Sequence, residues 1–311
     1  MSRLLKTGVA MQWGIHLPQL GRQVNRQALI GFAQRLDTLG VHSGWVSDHV
    51  CWPADIESKY PYTENGSFPA PNDMAWLDPI GTLLFVAGCT ENLKLGTTVL
   101  ILPYRLPVVT AKQLATLDVV SNGRLILGVG VGWMKEEAAV LGMPFDHRGA
   151  RSNEQLDIFR TLFNDEEPEY DGDYYQLPKV KFEPKPVQDP IPVWVGGDTR
   201  PAFERAAKYG QGFQAAFQPV ARIKDEITEV RQCCEVLHRD PAELTFSARV
   251  YLDPEGVMES EKSITGSAQQ MQDTIGEMEA AGISHLLLDP VAPGGITGRL
   301  DAIERFMQMQ S

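Results

Sequence analysis

The feature of this sequence that most constrains its fold is a regular alternation of short apolar runs with longer amphipathic segments. Eight runs have the length and composition of buried strands: 11–17, 43–47, 94–100, 124–129, 191–196, 212–217, 244–252 and 283–289. Segments with apolar residues three or four apart follow them, at 26–39, 78–90, 107–120, 148–163, 200–209, 219–237, 266–281 and 297–309. Because this alternation is typical of repeated strand–helix units, it predicts a parallel sheet covered by helices.

The number of units distinguishes two parallel α/β architectures. Eight strands, each followed by a helix, is the count that closes a (β/α)8 TIM barrel. An open doubly wound sheet usually has fewer strands and a glycine-rich turn after the first one, whereas the first turn here reads HLPQLGRQ. We therefore predict a single TIM-barrel domain over residues 1–311, with an extended loop at 50–77 after strand 2 and a small hairpin insertion at 165–190 before strand 5.

Composition excludes several classes of function. The formal net charge of −12 opposes general attraction to nucleic acid or to an anionic membrane. The four cysteines show no C-x-x-C spacing, which favours free thiols in a reducing compartment. The first residues lack the apolar core of a signal peptide, and no apolar run approaches the ~20 residues of a spanning helix. We expect a cytoplasmic protein that acts on a small molecule, with neither nucleic acid nor membrane as a partner.

An acidic residue and an imidazole stand side by side where the second strand ends, at Asp48 and His49. An arbitrary Asp-His pair is usually a turn cap beside a surface imidazole. In a TIM barrel, however, the carboxyl ends of the strands build the active site. There, a histidine can exchange a proton with a bound ring while the carboxylate orients it or holds another ligand group. We therefore take His49 and Asp48 as the candidate catalytic residues.

The ends of the third and fourth strands supply candidate cofactor contacts. In LGTTVLILPYRLP, residues 95–107, most of the run reads as β-branched core, but Thr97, Thr98 and Val99 reach the rim. GVGVGW, residues 128–133, contains no G-x-G-x-x-G fingerprint. Its glycines either make a tight turn or leave room for a flat ring against the backbone, and Gly130 is the candidate for the second role.

Two glycines lie between the end of the fifth strand and the start of the next helix, in VWVGGDTR, residues 193–200. Free amides at a helix N-terminus, with glycine permitting close approach, form a seat for phosphate. Asp198 is alternatively only the helix N-cap. The six histidines show no paired metal-ligand spacing and no G-x-S-x-G occurs, so neither a metal site nor a serine nucleophile is expected.

These motifs together resemble the bacterial luciferase-like superfamily of (β/α)8 flavin and deazaflavin oxidoreductases. The resemblance covers essentially the full chain and rests on six strings in order: VSDHV, LGTTVLILPYRLP, GRLILGVGVGW, YDGDYYQL, PVWVGGDTR and GISHLLLD. Within the superfamily, Ser-Asp-His after strand 2 resembles the branch that uses coenzyme F-420, an 8-hydroxy-5-deazaflavin, whereas flavin mononucleotide (FMN) enzymes more often have Glu-His. The luciferase-type arginine that holds the FMN phosphate falls on Val131, and the catalytic glutamate of sugar-phosphate dehydrogenases falls on Trp133.

The resemblance implies a set of residues around the coenzyme. These are Asp48, Thr97, Thr98, Val99, Gly130, Val131, Gly196, Gly197, Asp198 and Thr199. It also implies a non-prolyl cis peptide bond between Thr98 and Val99, and a homodimer.

The resulting hypothesis is an oxidoreductase that passes a hydride between C5 of F-420 and an unidentified small organic substrate. His49 would hydrogen-bond near the reacting edge or relay a proton, and Asp48 would fix a polar group of the ring or orient the imidazole. The substrate walls would come from the 50–77 loop, Trp133 and the loops after strands 6 to 8. The alternatives are an FMN-dependent luciferase-like monooxygenase and a carrier that binds the cofactor without turning it over.

Overall fold

The computed structural model describes residues 10–69, 71, 73–258 and 260–310. Its strands are β1 (Gln12–His16), β2 (Ser43–Val46), β3 (Lys94–Thr97), β4 (Leu100–Ile101), β5 (Leu125–Gly130), β6 (Tyr170–Asp171), β7 (Gln176–Leu177), β8 (Val193–Gly196), β9 (Gly212–Ala216), β10 (Thr245–Asp253), β11 (Ser263–Thr265) and β12 (His285–Pro290). Its α-helices are α1 (Arg26–Thr38), α2 (Pro79–Ala87), α3 (Pro107–Val120), α4 (Lys135–Val140), α5 (Arg148–Asn164), α6 (Arg200–Tyr209), α7 (Val220–Val236), α8 (Ala268–Ala281) and α9 (Gly295–Gln310). Residues 1–9, which carry most of the N-terminal segment assessed for a signal peptide, lie outside the described residues.

Eight parallel strands close into a barrel. The order around it is β1, β2, β3, β5, β8, β9, β10 and β12, and β12 pairs again with β1. The register of the closing pair places Gln12 opposite His285 and Ile15 opposite Leu288. The predicted (β/α)8 barrel is therefore confirmed, and the eight predicted strands correspond to the eight strands of the barrel.

Two tryptophans fill the barrel interior. Trp45 and Trp194 are almost fully buried, and their ring centroids lie 5.1 Å apart. A β-carbon at Gly96 would lie 2.3 Å from the Trp45 ring, so this strand position must be glycine for the ring to fit. Trp45 is thus a core residue, although the sequence places it next to the predicted mouth.

The helices form the outer layer and begin at recognisable caps. The Asn25 side chain accepts a hydrogen bond from the Ala28 amide at the start of α1, and Ser267 and Gln270 form a capping box at the start of α8. Aliphatic residues on their inner faces pack against the outside of the barrel in one continuous core. No helix within the described residues combines the length and the apolar character needed to cross a membrane.

The structure refines the predicted elements at three places. The predicted third strand at 94–100 is interrupted, because β3 ends at Thr97, a cis peptide joins Thr98 to Val99, and β4 then pairs with β5. The predicted hairpin before the fifth barrel strand forms from β6 and β7, which pair antiparallel. Helix α4, directly after the fourth barrel strand, was not predicted from the sequence.

Candidate active site

A cavity of about 740 Å³ lies at the carboxyl end of the barrel. The strand ends form its floor and walls, and the loop after β2 contributes residues from 59 to 76. Of the candidate residues, the cavity is lined by Asp48, His49, Thr98, Val99, Gly130, Val131, Gly196, Gly197, Asp198 and Thr199. Residues from the second to the fifth barrel strand therefore meet in one place.

Thr97 is a correction to the predicted set, because it does not line the cavity. Its side chain is fully buried, and its hydroxyl donates a hydrogen bond of 2.7 Å to the carbonyl oxygen of Gly128. The backbones also approach closely here, since a β-carbon at Gly128 would lie 1.8 Å from the Thr97 carbonyl oxygen. Thr97 therefore joins two neighbouring barrel strands, and Thr98 is the threonine that faces the cavity.

The His49 imidazole is held by a buried glutamate on α4. Nδ1 of His49 lies 2.7 Å from Oε2 of Glu137, whose side chain is fully buried. The other carboxylate oxygen of Glu137 accepts hydrogen bonds from the backbone amides of Val50 and Cys51, at 2.7 and 3.2 Å. A carboxylate in this position only accepts hydrogen bonds, so Nδ1 carries the proton and Nε2 is left for a ligand.

Asp48 does not orient His49, which was one of the two roles predicted for it. Its carboxylate instead makes a two-pronged ion pair with the Arg105 guanidinium, one arm of which measures 2.8 Å, and it accepts the Ile101 amide at 2.8 Å. Burial raises the pKa of the Asp48 carboxyl, and the adjacent Arg105 opposes that rise. Since guanidinium stays protonated in proteins, we treat the two groups as an ion pair that fixes the chain just after the cis peptide.

The glycines at the ends of β5 and β8 make room for Val99. A β-carbon at Gly130 would lie 2.4 Å from Cγ2 of Val99, and one at Gly196 would lie 2.8 Å from its Cγ1. The missing side chains therefore admit the valine. Val99, Gly130 and Gly196 all line the cavity, so a ring bound there would lie on the valine.

The cavity floor contains a buried amide with a free donor. The Thr98 hydroxyl donates to Oε1 of Gln214 at 2.6 Å, and this fixes which way the amide points. Nε2 of Gln214 is buried and has no hydrogen-bond partner among the described residues. Because an unpaired buried donor costs about 1–3 kcal/mol, the floor offers this amide to an acceptor in the cavity.

The polar and charged side chains beside Gln214 are already hydrogen-bonded or ion-paired. Arg249 donates to Asp289 and to the carbonyl oxygen of Thr98, at 3.0 and 2.9 Å. Nε2 of His16 lies 2.9 Å from the Ser47 hydroxyl, which also receives a hydrogen bond from Arg249. Burial lowers the pKa of His16 to about 3, so its imidazole is neutral and acts only as a hydrogen-bond bridge.

The loop between β8 and α6 has the features of an anion seat. Gly197 has a φ of +127°, a backbone conformation that favours glycine. The Thr199 side chain makes no capping hydrogen bond, Pro201 has no N–H, and the amides of Ala202 and Phe203 donate to the Thr199 carbonyl, so within the described residues the Arg200 amide is the open donor of the first turn of α6. Arg205 lines the same cavity, is 5% exposed, and donates only to the Asn153 side chain and the Gly149 carbonyl. No carboxylate in the described part of the chain pairs with Arg205, and this buried cation therefore favours an anionic ligand.

A buried carboxylate on α7, near this seat, makes the protein's stability depend on pH. Burial raises the pKa of Glu226 to about 7, and Asp198 adds to the rise while Arg222 opposes it. Glu226 is 1% exposed, and neither of its carboxylate oxygens accepts a hydrogen bond within the described residues. Because the folded state holds the proton more tightly than the unfolded state does, stability from this group is present at acidic pH and declines as pH rises toward 7.

Replacing Glu226 by glutamine is expected to remove this decline. In the wild type, we expect this group to lower the free energy of unfolding by about 2–3 kcal/mol between pH 5 and pH 8. Glu226→Gln should lack this decrease, so that it loses about 2–3 kcal/mol less stability over the same range. Urea unfolding at both pH values measures it. Parallel pH profiles for the two proteins would contradict a strained, buried carboxylate at this position.

Comparison with known proteins identifies the family. Residues 6–255 match the family described as luciferase-like monooxygenase. The chain belongs to this family. The resemblance inferred from the sequence motifs is therefore confirmed. The cis peptide that the resemblance implied is also present between Thr98 and Val99.

Relatives of this chain include deazaflavin enzymes. An F-420-dependent glucose-6-phosphate dehydrogenase of Amycolatopsis mediterranei is 34% identical over 195 residues, which cover 61% of this chain and 54% of that protein. A solved F-420-dependent secondary alcohol dehydrogenase, in complex with an F-420–acetone adduct, matches with a TM-score of 0.78 at 18% identity, over 97% of this chain and 99% of the other. A monooxygenase from Streptomyces bottropensis matches with a TM-score of 0.76 at 19% identity, over 96% and 98%. The likeness to these two structures shows the fold.

Sequence reasoning missed four residues that complete the site: Arg105, Glu137, Arg205 and Gln214. One of them carried a usable signal, since Gln214 is a polar residue in the middle of an otherwise apolar barrel strand, GFQAA. The others lie on helices or loops among many charged residues. Their partners are far away in sequence, so only the folded chain distinguishes them.

Proposed function

We propose that this protein is an F-420-dependent oxidoreductase acting on a small organic substrate. The observation that carries the proposal is that one cavity joins an imidazole oriented by a buried carboxylate to an anion seat with an unpaired arginine. A cofactor with a polar ring system at one end and a phosphate at the other fits this arrangement. The 34% identity to an enzyme named as F-420-dependent favours the deazaflavin over FMN.

The cavity residues fit such a cofactor at both ends. Nε2 of Gln214 is a buried donor without a partner, as a carbonyl oxygen of the ring requires. Arg205 and the Arg200 amide at the start of α6 supply positive charge and a donor for the phosphate. Val99 lines the cavity and would support one face of the ring.

When bound, the deazaflavin supplies a carbon, C5, that accepts or donates a hydride. The role of the protein is then to bind, orient and exclude water. His49 presents Nε2 to the cavity while Glu137 fixes its tautomer, so this nitrogen can hold or release a proton at a substrate oxygen. The Asp48–Arg105 ion pair keeps the chain after the cis peptide in place and takes no direct part in the chemistry.

The test is a titration of the purified protein with F-420 and, separately, with FMN. We expect F-420 to bind with a Kd at or below about 10 µM, and FMN to bind at least about 10-fold more weakly. Equilibrium dialysis read by absorbance measures both affinities. Tight FMN binding without measurable F-420 binding would overturn the proposal in favour of an FMN-dependent monooxygenase.

Replacing Arg205 by methionine is expected to weaken binding of the coenzyme by about 10- to 100-fold, because one charge-assisted phosphate contact contributes about 1.5–3 kcal/mol. The affinity for a deazaflavin that lacks the phosphate should change less than about 3-fold. Arg205→Lys, which keeps the charge, serves as the matched control and should lose less. Equal losses for the two ligands would show that Arg205 only supports α5.

A further inference from the structure

The His49 imidazole is surrounded by aromatic rings. Its centroid lies 4.9 Å from that of Trp76, 5.1 Å from Trp52, 5.8 Å from Phe68 and 6.1 Å from Trp133, all edge to face. Phe68, Trp76 and Trp133 line the cavity beside it, whereas Trp52 packs outside the lining. The reacting end of the cavity is therefore enclosed by carbon surfaces.

The loop after β2 and the start of the segment after β5 build this aromatic wall together. Tyr60 packs edge to face against both Phe68 and Trp133, with centroids 4.9 and 5.3 Å apart. The rings of Phe68 and Trp133 stack on each other, with centroids 6.3 Å apart and an interplanar angle of 11°. The wall is therefore a packed aromatic surface, which favours contact with apolar ring carbons.

Within the described residues, none of the cationic side chains that line the cavity contacts the His49 imidazole. Arg249 is paired with Asp289, and Arg205 belongs to the anion seat. Arg148 stacks on Phe145 and donates to the Gly132 carbonyl, while Lys59 is exposed. Among the described residues, the charged group that contacts the imidazole is the Glu137 carboxylate. An anionic substrate group beside His49 would lose its hydration without gaining a positive partner, which is strongly unfavourable.

We propose that the substrate of this site is an uncharged cyclic compound that carries one hydroxyl group. This inference rests on the proposed function and specifies its substrate class. The ring packs against Phe68, Trp76 and Trp133, and the hydroxyl donates a hydrogen bond to Nε2 of His49, which carries no proton when Nδ1 donates to Glu137. A sugar phosphate, the substrate class named for the F-420-dependent glucose-6-phosphate dehydrogenase relative, would place a ring of several hydroxyls against these aromatic carbons, which disfavours it in this part of the cavity.

The test uses isothermal titration calorimetry with 1-tetralol, a neutral bicyclic alcohol, and with glucose 6-phosphate. The alcohol is titrated into the protein with and without F-420, and glucose 6-phosphate is titrated into protein that has bound F-420, because the empty anion seat would itself attract a phosphate. We expect 1-tetralol to bind with a Kd below about 1 mM and glucose 6-phosphate to give no measurable heat up to about 10 mM. Binding of glucose 6-phosphate, or no binding of 1-tetralol to protein that has bound F-420, overturns the inference and leaves the proposed function intact. Failure of F-420 to bind overturns the proposed function alone, because the alcohol is also measured without it.

Two tryptophan variants locate the binding. Trp133→Ala is expected to weaken 1-tetralol binding by about 10-fold, as loss of one packed ring does. The matched control is Trp13→Phe, because Trp13 packs against Phe306 outside the cavity lining, and its affinity should stay within about 2-fold of the wild type. Phe68→Ala repeats the test on a different segment. Unchanged affinity in both Trp133→Ala and Phe68→Ala would show that the alcohol binds elsewhere.

Discussion

Replacing His49 by alanine is expected to lower kcat by about 100-fold or more, while the Kd of the coenzyme changes less than about 3-fold. The reason is that His49 presents Nε2 to the cavity while the buried Glu137 carboxylate holds its Nδ1, and a positioned proton carrier contributes about 10²–10⁴-fold. The measurement is steady-state turnover with a substrate that the wild type converts, together with a coenzyme titration. Wild-type kcat in the alanine variant would remove the role given to His49.

Glu137 is expected to act through His49, as a positioning residue. In Glu137→Gln the side chain keeps its shape but loses its charge, so Nδ1 of His49 is no longer held as the protonated nitrogen. We expect about a 10-fold loss of kcat and a shifted pH profile of kcat, with no further loss in the His49→Ala, Glu137→Gln double variant. Additive losses would instead indicate that Glu137 supports the fold independently of the imidazole.

Replacing Asp48 by asparagine is expected to lower the free energy of unfolding by about 3–5 kcal/mol, because the change leaves the buried Arg105 guanidinium without its carboxylate. Asp48 is fully buried as a side chain, and Arg105 is 12% exposed, so water replaces little of the lost interaction. Urea unfolding at pH 7 measures the change. A loss below about 1 kcal/mol would mean that the Asp48–Arg105 ion pair is not buried in the folded protein.

The same arginine offers a matched control. Asp78 approaches Arg105 at 3.4 Å, but its side chain is 60% exposed. Asp78→Asn also keeps an N-cap of α2, since asparagine caps helices about as well as aspartate. We therefore expect a loss of no more than about 1 kcal/mol for Asp78→Asn. Arg105→Met in the Asp48→Asn background should recover part of the larger loss, because it removes the unpaired charge.

The barrel was predictable from the sequence because the patterns that specify its strands and helices are local. Eight apolar runs, separated by segments of helical period, specify eight strands and their helices without reference to distant residues. The rule that active sites lie at the carboxyl ends of barrel strands then placed His49, Thr98, Val99 and the Gly196–Gly197 turn near one another. Their position in a single cavity follows from topology, and topology follows from the order of the strands.

The partners within the site were not predictable in the same way. The sequence places Asp48 next to His49, and adjacency suggested that the carboxylate orients the imidazole or holds another ligand group. In the fold, successive side chains point in different directions, so Asp48 reaches Arg105 while His49 reaches Glu137, 88 residues further along the chain. Thr97 and Thr98 differ for the same reason, since one faces a neighbouring strand and the other faces the cavity.

What the sequence determined by itself was therefore the kind of barrel, the family, and which strand ends meet at its mouth, because each of these depends on patterns within a short stretch of chain. Only the tertiary structure decided which carboxylate holds the imidazole, which arginine is left without an acidic partner, and that aromatic rings enclose the reacting end. Those features depend on side-chain direction and on burial between residues far apart in the chain, and both are set only when the barrel closes.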